Sequence, residues 1–172
     1  MSFNVRYCII ETATNKLIKG SNNSFIPDSV TSIGYGAFGS CSRLTSIEIP
    51  YSVTSIGEQA FQGCSSLTSI TIPDTVTSSI GRWMFDGCSS LSSVTIGSGV
   101  TSIGNHAFFQ CSDLNSITCY ATTAPSITSD TFYYVKPNGI LCYPYGSDYS
   151  SWMKTSAYYL GYYKWTGQEI TE

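Results

Sequence analysis

The chain has 172 residues, only 11% of them charged, with a formal net charge of −3. That length builds a single domain able to bury about 70% of its unfolded surface. A mild acidic balance without a basic block argues against nucleic acid or anionic membrane as a partner, because neutralising phosphates takes clustered Lys and Arg. No apolar run approaches the roughly 20 residues that span a bilayer.

The opening residues, Met1-Ser2-Phe3-Asn4-Val5-Arg6-Tyr7, lack the basic start and long apolar stretch of a secretory signal. A cytosolic protein, a mature or excised segment, and a virus-encoded protein all remain open. Tyr7-Cys8-Ile9-Ile10 and Lys16-Leu17-Ile18-Lys19 flank Thr12-Ala13-Thr14-Asn15, a pattern that predicts a hairpin.

From residue 26 a repeat takes over. Ile26-Pro27-Asp28-Ser29-Val30-Thr31-Ser32-Ile33-Gly34 returns as Ile49-Pro50-Tyr51-Ser52-Val53-Thr54-Ser55-Ile56-Gly57, again from Ile72-Pro73, and in weaker form from Ile96-Gly97. Each copy then places a phenylalanine (Phe38, Phe61, Phe85, Phe108), a cysteine (Cys41, Cys64, Cys88, Cys111) and a leucine (Leu44, Leu67, Leu91, Leu114). The cysteines recur at steps of 23, 24 and 23 residues, the longer step coming from one extra serine in Ser78-Ser79. A unit this short cannot bury its own apolar face, so the copies must stack into a solenoid. Leu44–Ile49, Leu67–Ile72, Leu91–Ile96 and Leu114–Thr118 alternate as half-buried strands and predict one continuous parallel sheet. Val-Thr-Ser-Ile-Gly reads as a second short extended side. The Gln59–Gly63 type of segment suits one helical or 3-10 turn with its phenylalanine plugging the core.

The combination Leu67-x-x-Ile70-x-Ile72-Pro73-x-x-Val76 with Ile56-Gly57-x-x-Ala60-Phe61-x-x-Cys64 resembles the leucine-rich repeats of the BspA-like type, close to the Treponema pallidum repeat class. The resemblance covers about residues 17 to 118. It implies an α/β leucine-rich-repeat solenoid with a parallel β-sheet on one face and short helical or 3-10 turns. It also implies a secreted or surface-anchored protein that binds protein or glycan, often an adhesin. The third copy departs from the pattern by its inserted serine and by Trp83-Met84, so a local bulge is expected there. The organisation read from the sequence is one domain over 1–172, with an N-terminal cap to residue 25, four repeats over 26–118 and a C-terminal cap from 119.

After Ile117 the repeat decays. Gly139–Pro144 reads as a strand, and Ser147-Asp148 as the N-cap of a helix over Tyr149 to Leu160. Ten of the 13 tyrosines lie beyond residue 118, joined by Trp152 and Trp165; large amphipathic rings in that number suit the closing of a core end.

Catalysis would need a nucleophile with a base, paired acids or a metal cluster. The one histidine, His106, stands five residues before Cys111, but Cys111 occupies a repeat slot that fills the interior. The cysteine spacing suits no metal site, the glycines form no phosphate loop, and the carboxylates are scattered. The expectation is a non-enzymatic chain without cofactor or metal. Seven cysteines, an odd number, do not form a closed disulfide framework; the ladder cysteines are expected reduced and buried, and the pairing of Cys119 with Cys142 is open. Asn22-Asn23-Ser24 fits a glycosylation sequon that matters only in a secretory setting.

What remains is surface. The outward strand positions form two columns, Ser46, Ser69, Ser93, Ser116 and Glu48, Thr71, Thr95, Thr118, flat and hydrogen-bonding. The equivalent positions after Ile-Gly diverge: Tyr35-Gly36, Glu58-Gln59, Arg82-Trp83, Asn105-His106. Repeat proteins often place recognition where equivalent positions diverge, and Trp and Arg dominate binding hot spots. The expected role is a protein-interaction or adhesion module at the bacterial surface, monomeric or weakly self-associating; the rival is a structural or virion-associated scaffold whose ends join other copies.

Overall fold

A computed structural model describes residues 8–171 of the chain. It is a succession of stacked coils, mostly β, whose sides are hydrogen-bonded from one coil to the next. The predicted hairpin forms: β1 (Ile9–Glu11) runs antiparallel to β2 (Lys16–Lys19), while its expected member Tyr7 lies outside the described residues. β2 then starts one side of the solenoid, pairing in parallel with β3 (Ser32–Ile33), which pairs with β4 (Ser55–Ile56). This is the Val-Thr-Ser-Ile side.

The other side is a five-stranded parallel sheet, β5 (Ser69–Ile72), β6 (Ser93–Ile96), β7 (Ser116–Cys119), β8 (Ile140–Pro144) and β9 (Thr166–Ile170), in that spatial order. Register is set by the repeat: Ser69, Ser93 and Ser116 lie side by side, as do Thr71, Thr95 and Thr118. One expectation fails here. Leu44–Ile49 does not join the sheet, which therefore starts one coil later. Glu48 stands where the ladder carries Thr71, Thr95 and Thr118, and the backbone bond from the next coil to this segment is Thr68 N–H to Thr45 O at 3.2 Å, short of a ladder.

The third side is built from the phenylalanine segments, and here too the structure departs from the expected helical turn. Phe38 N–H donates to Ala60 O at 2.7 Å, Phe61 to Met84 at 3.0 Å, Phe85 to Ala107 at 2.9 Å and Phe108 to Thr131 at 3.0 Å. Donors committed to the next coil are lost to an i−4 helical ladder, so the segment settles as linked turns with left-handed residues at Gly36, Gln59, Trp83 and His106. Among the described residues the one helical element is a 3-10 turn at Leu160–Tyr163.

The core is a set of columns along the stack. Phe38, Phe61, Phe85, Phe108 and Phe132 are fully buried and stacked in series, with centroid separations of 5.2, 5.6, 5.3 and 5.6 Å. Both column ends are closed. Gly20 lies against the Phe38 ring so tightly that a Cβ there would sit 2.1 Å from it. Trp152, fully buried, tilts over Phe132 at 5.5 Å, and its indole N–H reaches Pro125 O at 2.7 Å. The helix expected over Tyr149 to Leu160 is absent because its anchors point across the fold: Asp148 caps only Ser150, Tyr149 O–H donates to Ala121 O at 2.7 Å, and Leu160 N–H bonds Trp152 O rather than a residue one turn earlier.

The extra serine has the expected local effect. Gly34 and Gly57 N–H donate to Leu17 O and Ile33 O, and Gly104 to Ile80 O, each at 2.8 Å, but no such bond joins Gly81 to Ile56. Beyond the insertion this side continues only as bridges, Ile80 with Ile103 and Ser102 with Ser126. Hydroxyls hold the corners: Ser52, Thr54, Ser65, Thr68, Thr75, Ser89, Ser92 and Ser112 each donate to a carbonyl of the coil before.

Candidate functional site

The repeat brings the divergent positions together on the turn side. Trp83, at φ +53°, turns its ring outward from the buried Met84-Phe85 pair. A left-handed backbone costs an ordinary L-residue about 1–2 kcal/mol, and the first copy carries Gly36 at this place. Keeping a tryptophan there is a local conflict of the kind found at functional positions. Arg82 lies with its guanidinium carbon 4.4 Å above the Trp83 ring, and the His106 ring stacks with Trp83 at 6.2 Å. His106 also bonds Asn105 through Nδ1, and Asn105 reaches Asp130 at 3.2 Å.

From His106 the row continues without a gap. Phe109 meets His106 edge-on at 5.1 Å and stacks with Tyr133 at 5.4 Å; Tyr133 contacts Tyr158 at 4.0 Å, and Tyr158 contacts Tyr162 at 5.9 Å. These rings are half-buried or exposed, unlike the phenylalanine column beneath them. The Tyr133 hydroxyl donates to Tyr158 at 3.4 Å, and this bond, with help from Tyr134, holds its proton and raises its pKa. Tyr35 and Glu58 lie on the same side in earlier coils, Tyr35 bonding Gln59 through its hydroxyl. Glu58 and Arg82 share a shallow groove of about 280 Å³ opened beside the serine insertion.

Sequence reading found Arg82, Trp83 and His106 but missed Phe109, Tyr133 and Tyr158. The signal was present for Phe109: the residue after each core phenylalanine runs Gly39, Gln62, Asp86, Phe109, so this position diverges as sharply as the one after Ile-Gly.

The strand columns take a different form. Ser69, Ser93, Ser116 and Thr71, Thr95, Thr118 do make a flat uncharged face, but Ser46 and Glu48 stand outside its hydrogen-bonded register. Past the ends of β7, β8 and β9, Tyr120, Pro144, Tyr145, Ile170 and Thr171 surround a mostly apolar cleft of about 600 Å³.

The imagined Cys–His pair is not assembled. Cys111 is fully buried and its thiol donates to Phe85 O at 3.2 Å, whereas His106 lies out among Trp83 and Phe109. Cys64 and Cys88 bond the carbonyls of Phe38 and Phe61 in the same way. Burial pushes the Cys64 thiol up to about 12 and raises Cys88 and Cys111 as well, so these thiols stay protonated and inert. Cys119 and Cys142 are both free. Cys119 faces the core while Cys142, next to Thr118 in register, lies on the half-exposed outer face, so their sulfurs point to opposite sides of the sheet. Among the described residues no three His, Cys, Asp or Glu side chains gather as a metal site, and no helix is long and apolar enough to cross a membrane. In the sequon, the Asn22 side-chain oxygen accepts from Arg43 N–H at 2.9 Å.

Residues 16–138 match the model for the BspA type leucine rich repeat region in six copies. Two solved structures are similar at about 30% identity. A leucine rich cell surface protein from Faecalibacterium prausnitzii A2-165 shares 30% identity at a TM-score of 0.65, over 80% of this chain and 36% of its own. A leucine-rich repeat protein from Bacteroides ovatus shares 31% at 0.50, over 66% of this chain and 37% of its own. One from Eubacterium ventriosum, 19% identical with a TM-score of 0.58 over 90% of this chain and 53% of its own, shares the fold. The chain thus spans little more than a third of the first two. No curated protein matches it.

Proposed function

This chain belongs to the BspA-type leucine-rich-repeat family, and from that premise we propose that it is a non-catalytic recognition module of a bacterial cell-surface protein, holding a protein or glycan partner on its aromatic turn side. The observation that carries the reading is the unbroken row from Arg82 through Trp83, His106, Phe109 and Tyr133 to Tyr158, whose half-exposed rings sit on a rigid coil stack. Partner-binding energy concentrates in aromatic and arginine anchors, and a row already ordered by its own contacts loses little entropy on binding. The description of the Faecalibacterium protein as a cell surface protein supports the location.

The test is binding of the labelled chain to a panel of matrix proteins, mucin glycans and intact bacterial cells. Saturable binding to one member, at least tenfold weaker for Trp83→Ala with an unchanged melting temperature, supports the reading. Silence across the panel refutes it.

A second reading, a scaffold element that joins other copies, is favoured by β9. Its residues Thr166–Glu169 are all exposed at the sheet edge, with neither proline nor lysine to block a further strand. Sedimentation at micromolar concentration separates the two readings: a monomer is expected of the recognition module, and concentration-dependent oligomers of the scaffold.

A further inference from the structure

Alongside the aromatic row the turns open a hollow of about 400 Å³ lined by Gly87, Ser89, Gln110, Ser112 and Tyr134, within the size range of small-molecule sites. Gly87, Gln110 and Tyr134 are equivalent positions of successive coils and share a left-handed backbone, at φ +72°, +56° and +61°. The hollow opens where this column begins with glycine: a Cβ on Gly87 would meet nothing nearer than Gly63, at 3.8 Å, so there is room for a side chain that tolerates the left-handed backbone.

The chemistry of the lining is specific. Tyr134 forms one wall; the residue is 55% exposed, yet its ring is held edge-on by Tyr133 at 4.3 Å and by Phe109 at 6.1 Å, and its backbone N–H is bound to the Tyr163 hydroxyl at 2.9 Å. Ser89 and Ser112 donate to carbonyls of the coil before, at 3.5 and 3.3 Å, which leaves both oxygens free to accept. Gln110 adds an exposed amide with both donor and acceptor. No charged side chain lines the hollow. The nearest carboxylates in sequence are engaged elsewhere, Asp86 by Gln62 Nε2 at 2.7 Å and Asp113 by Lys136 at 4.0 Å.

A held aromatic face beside a hydroxyl and amide rim, with no charge, complements a neutral pyranose, which presents one face of C–H groups and a rim of hydroxyls. A peptide would ask instead for an open strand edge, an apolar groove or a charged cluster, none of which the hollow supplies. We propose that this hollow is a subsite for a neutral sugar ring, stacked on Tyr134 and hydrogen-bonded by Gln110, Ser89 and Ser112. It rests on reading the turn side as the recognition face and narrows the partner there to a glycan.

The experiment is saturation-transfer NMR of the purified chain with methyl β-galactoside, methyl α-glucoside and methyl α-mannoside, with an anionic sialyl-lactose and a deca-proline peptide as contrasts. The expected result is transfer to the C–H protons of one ring face of at least one neutral glycoside, at millimolar affinity. Tyr134→Asn and Gly87→Asn should abolish it, since asparagine tolerates the left-handed backbone while removing the ring or filling the hollow; Tyr134→Phe should retain it. Unchanged melting temperatures establish that the variants fold. No transfer to any neutral glycoside, transfer indifferent to both asparagine variants, or transfer to deca-proline alone would overturn the assignment. If the glycosides fail while Trp83-dependent binding to cells or matrix protein persists, the sugar subsite falls and the recognition face stands.

Discussion

Replacing Phe61 with alanine tests the column on which the whole architecture depends. Phe61 is fully buried and lies between two parallel rings, Phe38 at 5.2 Å and Phe85 at 5.6 Å. A buried Phe→Ala change costs about 3–5 kcal/mol through lost transfer energy and the residual cavity. Each aromatic pair adds about 0.5–1.5 kcal/mol beyond buried area, and two pairs disappear here, so the upper half of that range is expected. Coil-on-coil architecture limits collapse around the void, because the backbone spacing is fixed by inter-coil bonds on either side of it. Phe38→Ala should cost less, since Phe38 has only one ring neighbour and Gly20 on its other side. Urea unfolding followed by circular dichroism gives both values from the midpoint and the slope. A lower slope for Phe61→Ala would report that the first coils detach separately, as nearest-neighbour coupling in a repeat allows. A loss below about 1 kcal/mol, or equal losses at Phe38 and Phe61, would refute the stacked column.

Three further outcomes follow from the same structure. In the native chain Cys8 and Cys142, both half-buried, should react with a thiol reagent within minutes, while Cys41, Cys64, Cys88, Cys111 and Cys119 should react only on unfolding; rapid reaction of all seven would place the ladder at the surface. Stability should fall at alkaline pH: the thiols of Cys64, Cys88 and Cys111 have raised values when folded, so their contribution is complete below the unfolded value near 9 and is lost as pH climbs toward the folded ones. Three such thiols at about 1.4 kcal/mol per pH unit predict a loss of about 4 kcal/mol between pH 7.5 and pH 10, and a flat urea midpoint over that interval would mean that they titrate alike in both states. Deleting Ser79 restores the common step and should let Gly81 N–H reach Ile56 O, a gain of about 1 kcal/mol; a loss of that size in the same unfolding assay would show that the bulge is itself well packed.

The fold was legible because every coil repeats the same buried positions. Phe61, Cys64, Leu67 and Ile72 recur in step, and a column of equivalent apolar residues has only one way to be buried. Elements without a repeat to average over were less legible. The segment after Asp148 carries a helix-start signal, yet Tyr149 and Trp152 bond Ala121 and Pro125 across the fold, and those tertiary bonds override a local cap. Likewise the phenylalanine turns could pass for helical turns, since nothing local reveals that their N–H groups serve the coil above. The abundance of Ser and Thr had a cause that composition alone conceals: hydroxyls at Ser52, Thr54, Ser65 and Thr68 tie each coil to the one before. For the site, divergence among equivalent positions pointed to Trp83 and His106 and was there to be read at Phe109, but Tyr133 and Tyr158 lie beyond the clear repeats and meet only through the fold.

Whether recognition belongs to the turn side, as proposed, or to the strand face is decided by comparing three chains. Against whichever member of the panel binds, affinity is measured for the parent chain, for Trp83→Gly with Phe109→Ser, and for Ser93→Lys with Thr95→Lys on the strand face. Glycine suits the left-handed backbone at position 83, so that pair removes rings while relieving strain. At least a tenfold loss is expected for the ring variant, and less than a threefold change for the strand-face variant. The opposite order, with both variants folded, would contradict the proposal.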